Sequence, residues 1–136
     1  MKKYELIEHT ADIGVKAFGS SVSDAFSHAA QAMFDLMTDN SKIDEKGEYN
    51  IELDAPDQEQ LLVDWLSELL YIHDVDGFVF SRFEVSLNNN HLSAKIYGES
   101  FNTNKHKIGM EIKAVTYHML TVEEKKPIYV QVLFDI

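Results

Sequence analysis

The chain shows two periodicities of apolar residues, one typical of strands and one typical of helices. A two-residue alternation predicts strands at residues 4–8, 13–18, 49–53, 82–87 and 92–96, and in two longer runs, Met110–Glu123 and Ile128–Ile136. Three- and four-residue steps predict one helix from about Val22 to Met37 and another from Pro56–Asp57 to Asp76–Gly77. The order ββαβαββββ predicts an α+β fold, a single domain over residues 1–136, with mostly antiparallel sheet and two main helices.

Local signals mark where these elements begin and end. Ser21 followed by Asp24 resembles a helix capping box in which Asp replaces the usual Glu. Asp76-Gly77 is a typical helix end. Three consecutive asparagines, residues 88–90, predict a turn between two strands, because Asn tolerates a left-handed backbone.

The last two strands form a hairpin closed by residues 124–127, and apolar alternation predicts its register. With the turn centred on Glu124, Ile112 faces Ile136 and Ala114 faces Phe134, so apolar residues oppose apolar residues almost throughout. The same register places Lys113 directly across from Asp135. A slip of one residue would turn every side chain to the other face.

Composition excludes several classes of protein. The 136 residues carry a formal net charge of −11 and include no cysteine, which excludes disulfides, thiolate zinc sites and iron–sulfur clusters. We find no export signal and no apolar run near the ~18 residues of a membrane helix, so we expect a cytoplasmic protein with no membrane contact. The lysines are scattered along an acidic chain, so direct RNA binding is not expected, whereas a basic protein partner is.

Three negative groups are candidates for a metal site if the first turn meets the last strand. Asp12 lies in the turn of EHTADIG, and Asp135 stands beside the terminal carboxylate of Ile136. Oxygen ligands suit a hard cation such as Mg²⁺, Ca²⁺ or Mn²⁺, with Lys113 beside them. Plainer interpretations stay open: Asp12 as a turn cap, Asp135 as an exposed acid and Lys113 as a solvated partner. His9 fits a core or turn histidine.

Familiar catalytic motifs are missing from the sequence. The six histidines show neither H-E-x-x-H nor paired zinc spacing, and no G-x-S-x-G occurs. The glycine-containing stretch after Gly98 lacks the G-K-[ST] ending of a phosphate-binding loop. The residues alone therefore indicate no catalytic centre.

Five segments together resemble the archease family. They are EHTADIGVKAFG, AFSHAAQAMFDLMTD, VDWLSELLYIHD, KAVTYH and the final FDI. The resemblance implies an accessory protein, not an enzyme, that acts in tRNA splicing and tRNA processing. Its partner would be the RtcB-type RNA ligase, which joins RNA ends with GTP and divalent metal. An archease promotes guanylylation of that ligase and its multiple turnover, and contacts RNA only through it.

The resemblance also assigns roles to individual residues. It implies that Asp12, Asp135 and Ile136 ligate a divalent ion, and that Lys113 is needed to activate the ligase. Two alternatives remain at this stage. One is a chaperone-like protein-binding modulator with no metal-dependent role, and the other is a small metal-dependent phosphohydrolase.

Overall fold

The computed structural model describes residues 2–8 and 11–136, so the expectations for His9 and Thr10 lie outside the described residues. Its elements follow the predicted order. The strands are β1 (Tyr4–Glu8), β2 (Asp12–Phe18), β3 (Gly47–Asp54), β4 (Phe78–Asn88), β5 (His91–Ser100), β6 (Ala114–Glu123) and β7 (Tyr129–Asp135). The helices are α1 (Val22–Met37) and α2 (Gln58–Asp76), with a short 3₁₀ turn at Asn40–Lys42.

Two antiparallel sheets confirm the predicted α+β fold class. One sheet has four strands in the order β1-β2-β7-β6, and the other has three in the order β3-β5-β4. Most neighbours are joined by hairpins, but β2 and β7 pair from opposite ends of the chain. The position of the candidate site depends on this long-range pairing.

Both helices contact both sheets and fill the space between them. One continuous core draws on all these elements, and its largest fully buried side chains include Trp65, Phe26, Phe34 and Phe80. Trp65 donates its indole N–H to the carbonyl of Phe26 at 3.1 Å, which ties α2 to α1 without leaving a buried donor unpaired.

The predicted helix boundaries are confirmed by their caps. The Ser21 hydroxyl accepts from the backbone N–H of Asp24 at 3.1 Å, and the Asp24 carboxylate accepts in turn from the N–H of Ser20 at 3.0 Å. Asp57 caps α2 in the same manner through Gln60. Gly77 ends α2 with φ +67°, a conformation that glycine adopts without a steric penalty.

The predicted register of the last hairpin is wrong. Ala114, not Lys113, is the partner of Asp135, and Val115 is the partner of Phe134. The pairing is interrupted between Thr116 and Thr121, where Met119 has a φ of +57°. Next to the turn Glu123 pairs with Tyr129, so the hairpin is centred on Lys126 and not on Glu124, and the pairing there is four positions from the predicted one. Three extra β6 residues in the interruption then bring the register back to within one position of the prediction at Asp135. The run Met110–Glu123 is also shorter as a strand, because β6 begins only at Ala114.

Candidate functional site

Asp12 and Asp135 lie directly opposite one another in adjacent strands. Asp12 is the first residue of β2 and Asp135 the last of β7, and the two are Cα partners in the antiparallel ladder. Side chains of such partners project from the same face, with Cβ atoms about 4.5–5.5 Å apart. The fold therefore brings together two predicted site residues from the two ends of the chain.

Both carboxylates lie on the face of the sheet opposite to the core side chains. Val132 and Phe134 are fully buried on the core face of β7; Leu133, which shares the other face with Asp135, is buried as well, but Asp135 at the strand end is exposed. In β2, Ile13 and Val15 are buried on the core side, which leaves Asp12 on the same outer face as Asp135. Asp135 is thus exposed and Asp12 half-buried, so a partner or an ion can approach the pair from this face.

Ile136 and Lys113 adjoin this pair by different means. Ile136 follows Asp135 directly and is 40% exposed, so its main-chain oxygens lie within one residue of the Asp135 carboxylate. Lys113 donates its backbone N–H to the carbonyl of Asp135 at 2.7 Å, and its side chain is exposed. Lys113 is therefore near Asp135 as predicted, although its place in the ladder is not the predicted one.

Lys113 reaches this position through a segment without regular structure, residues 101–113. The segment begins with a 2.7 Å hydrogen bond from the N–H of Phe101 to the carbonyl of Gly77. Farther on, Gly109 and Met110 donate backbone N–H groups to Met37 and Leu36 at 2.9 and 2.8 Å. These bonds occupy carbonyls at the end of α1 that have no partner within the helix. The segment is thus fixed to both helices before it reaches Asp135.

A buried ionic cluster, which we did not predict from sequence, fixes the first half of that segment. Glu99 is only 6% exposed and accepts hydrogen bonds from the N–H of Asp44 (2.7 Å), from Lys105 (2.7 Å) and from His106 (3.0 Å). His106 is 2% exposed, and its Nδ1 accepts from the N–H of Asn102, so its Nε2 carries the proton donated to Glu99.

The electrostatics of Glu99 follow from these contacts. Burial by itself would raise the pKa of Glu99, because a carboxylate is poorly solvated inside a protein. The hydrogen bonds from Asp44, Lys105 and His106 outweigh burial and lower the pKa to about 2. Glu99 is therefore ionised across the physiological range and holds residues 102–106 against β5.

The structure limits which residues could hold a metal ion. Among the described residues, no three or more His, Cys, Asp or Glu side chains are grouped in a way that could hold an ion. A site at Asp12 and Asp135 would need a ligand from outside those side chains, and a main-chain oxygen of Ile136 is the nearest such group along the chain. Two carboxylates and a main-chain oxygen form a donor set suited to a hard divalent cation.

The basic side chains form ion pairs in several separate places. Lys105 contacts Asp44 and Glu99, Lys95 contacts Glu48, and Lys2 contacts Glu5. Arg82 lies between Glu45 and Glu84. These ion pairs neutralise lysine and arginine side chains that would otherwise attract the phosphate backbone of a nucleic acid. Within residues 2–8 and 11–136, no helix is both long and apolar enough to cross a bilayer.

Residues 4–136 match the model of the Archease protein family (MTH1598/TM1083). The chain is 44% identical to protein archease of Sulfolobus acidocaldarius over 132 residues, covering 96% of this chain and 95% of that protein. It is 42% identical to protein archease of Pyrococcus furiosus over 127 residues, covering 90% and 89% of the two chains.

Two solved structures share the fold. The solution structure of protein 1598 of Methanobacterium thermoautotrophicum superposes with a TM-score of 0.82 at 34% identity, and covers 100% of both chains. The crystal structure of an archease from Thermotoga maritima, described as a possible chaperone, superposes with a TM-score of 0.66 at 24% identity, covering 96% of this chain and 94% of that one. The second likeness shows the fold alone.

Proposed function

Because the chain belongs to the archease family, we propose that it activates an RtcB-type, GTP-dependent tRNA-splicing RNA ligase in the cytoplasm. In this role it promotes guanylylation of the ligase and allows repeated turnover, without being an enzyme itself. The observation that carries the proposal is the direct cross-strand pairing of Asp12 with Asp135. That pairing turns two distant acids into one surface feature, with Lys113 next to it.

The proposal gives each residue a role at the ligase active site. Asp12, Asp135 and a main-chain oxygen of Ile136 would hold a Mg²⁺, Mn²⁺ or Ca²⁺ ion, which would supply positive charge to phosphate groups. The Lys113 side chain is exposed. Ala114, not Lys113, shares the face of Asp135 in the observed register, so Lys113 would supply positive charge from the edge of the site. The acidic chain would contact RNA only through the ligase, since its net charge is −11.

The test compares ligase turnover with wild-type protein and with Asp12→Ala, Asp135→Ala and Lys113→Ala variants. We expect Asp135→Ala and Asp12→Ala to lower the number of RNA joining events per ligase about ten-fold or more, because each removes an ion ligand. Lys113→Ala should slow guanylylation of the ligase, measured by transfer of labelled GMP. All three residues are at the surface or half-exposed, so the variants should remain folded.

Two exposed residues of the hairpin turn, Glu124 and Lys125, provide matched controls. They lie at the opposite end of β6 and β7 from Asp135. Glu124→Ala and Lys125→Ala should support wild-type turnover. Undiminished multiple turnover with folded Asp135→Ala would refute the metal-site role, even if the wild-type protein activates the ligase.

A chaperone-like role without a metal is the second candidate, and the exposed apolar side chains Tyr71, Val75 and Ile108 favour it. It predicts the opposite ranking of variants. Asp135→Ala would then retain full activity, whereas replacing the exposed apolar residues would abolish activity at any protein concentration. The same turnover assay distinguishes the two candidates.

A further inference from the structure

A cleft of about 450 Å³ opens between the C-terminal end of α2 and residues 108–112. We call it the α2 cleft. Most of its lining side chains are apolar: Met37, Phe101, Ile108, Met110 and Ile112. A space of this size, open to solvent and lined in this manner, accommodates one or two large apolar side chains of a partner.

Exposed apolar residues extend this surface beyond the cleft. Ile108 is 73% exposed, and Val75 and Tyr71, in the last turns of α2, are 62% and 61% exposed. Asp74 lines the α2 cleft. Tyr71 precedes it by three residues and Val75 follows it directly, so the three side chains lie on one side of the helix. A clustered apolar surface of this kind indicates a protein contact, whereas single exposed apolar residues need no explanation.

The charges around the α2 cleft are negative. Asp74 on α2 and Glu111 on the facing segment both line it, and none of its described lining residues is a lysine or an arginine. Lys107 and Lys113 flank the segment but do not line the cleft. The cleft therefore combines an apolar floor with an acidic rim, which complements an apolar side chain flanked by basic ones.

The α2 cleft adjoins the candidate site. Its wall ends at Ile112, and the next residue, Lys113, donates its N–H to the carbonyl of Asp135. Glu111 and Ile108 precede Lys113 by two and five residues in the same segment. The α2 cleft and the acidic pair are thus joined by a short, hydrogen-bonded stretch of chain.

We propose that the α2 cleft is the docking surface for the RNA ligase, and that it takes an apolar ligase side chain flanked by arginine or lysine. The inference rests on the proposed function, which identifies the partner. An RNA ligase must present basic groups to bind RNA phosphates, so a basic surface near its active site meets the acidic rim of the cleft. Docking here holds the acidic pair at the active site, while the chemistry of activation stays with Asp12, Asp135 and Lys113.

The first test measures the dissociation constant of the complex between this protein and the ligase by titration calorimetry. Ile108→Asp should weaken binding about ten-fold or more, because an added charge would be buried against the ligase. Because Ile108 is 73% exposed, the variant should fold like the wild type, and thermal unfolding followed by circular dichroism checks that it does. Leu6→Asp is the matched control, since Leu6 is 49% exposed on β1, and it should bind within about two-fold of wild type.

A second arm reverses the charge of the rim. Asp74→Lys combined with Glu111→Lys should weaken binding and reduce its dependence on salt, because attraction between unlike charges is lost. Glu123→Lys combined with Glu124→Lys changes the net charge by the same amount outside the cleft and serves as the control. An equal loss of affinity with this control would show a general charge effect and overturn the rim as a docking element.

Turnover assays separate the docking surface from the proposed function. When the Ile108→Asp variant is added at a saturating concentration, the ligase should turn over as fast as it does with the wild-type protein. With saturating Asp135→Ala it should not reach that rate. Wild-type activation together with unchanged binding by Ile108→Asp overturns the docking surface and leaves the proposed function intact. If wild type binds the ligase without activating it and Ile108→Asp loses binding, the docking surface is supported and the proposed function is overturned. A wild-type protein that does not bind the ligase overturns both.

Discussion

Glu99 is the residue whose charge contributes most clearly to stability. Its side chain is 7% exposed and its carboxylate accepts three hydrogen bonds, which lower its pKa from 4.5 to about 2. An acid with a depressed pKa stabilises the fold at every pH above its unfolded value, and that contribution is lost as pH falls through the folded value. The relevant window is therefore between about pH 4.5 and pH 2.

We predict that Glu99→Gln lowers the free energy of unfolding at pH 7 on the order of 2 kcal/mol, because Lys105 and His106 lose a charged acceptor. The difference in the free energy of unfolding between Glu99→Gln and wild type should shrink as the pH is lowered from 5 to 2. Urea unfolding at several pH values measures this difference. Glu48→Gln is the control, since its pair with Lys95 is half-exposed and should contribute less than about 1 kcal/mol. A constant difference across this pH range would contradict the prediction.

The sequence indicates Asp12 and Asp135 as site candidates but not Glu99. The two aspartates lie in recognisable segments at a turn and a strand end, where exposed acids can be noticed. Glu99 is buried only because Asp44, Lys105 and His106 approach it from other segments. A lone acid at a predicted strand end carries no local signal of such burial, which depends on the tertiary fold.

At the scale of elements, the helices and the order of elements along the chain follow the sequence closely, and the β6–β7 register does not. Periodicity and capping residues act within a few positions, so α1 and α2 are predictable. The interruption near Met119 has no glycine to mark it. Its backbone is held by Gln131, whose side-chain amide donates to the Met119 carbonyl at 3.0 Å, a contact between different strands. The register of a hairpin cannot be read from alternation when one strand contains such an insertion.

Gly109 should be essential for holding residues 101–113 against α1. A Cβ atom at this position would lie 2.5 Å from the carbonyl oxygen of Leu36 and 2.9 Å from backbone atoms of Met37. We predict that Gly109→Ala displaces the segment, breaks the two hydrogen bonds to α1 and lowers the free energy of unfolding by about 2–3 kcal/mol. Thermal or urea unfolding measures the loss, and amide exchange at Met110 and Lys113 should accelerate.

Gly47→Ala is the matched control for this substitution. A Cβ there would meet only the Phe78 ring at 3.3 Å and a backbone oxygen at 3.9 Å, and the ring can shift. We expect it to change the free energy of unfolding by about 1 kcal/mol or less. Equal effects of the two substitutions would mean that close approach to α1 does not constrain the segment.

At the scale of the whole molecule, the candidate site exists because β2 pairs with β7. The two strands come from opposite ends of the chain, and nothing in their local sequence specifies that they are neighbours. Archease resemblance assigns Asp12, Asp135 and Ile136 to one site, and the fold places the first two opposite each other. The α2 cleft is linked to the same pair through Lys113, which follows the cleft residue Ile112 and donates its N–H to the carbonyl of Asp135.

Binding of a divalent ion between the two ends of the chain should stabilise the whole fold, because an unfolded chain cannot hold β2 and β7 together. We predict that Mg²⁺, Mn²⁺ or Ca²⁺ at about 100 times its dissociation constant adds about 2.7 kcal/mol to the free energy of unfolding. For a chain of this size, that corresponds to a rise of roughly 5–15 °C in the melting temperature. Asp12→Asn and Asp135→Asn should remove the rise, and Glu124→Gln should retain it. A melting temperature that responds equally to the ions in wild type and in Asp135→Asn would show that they bind elsewhere on the acidic surface.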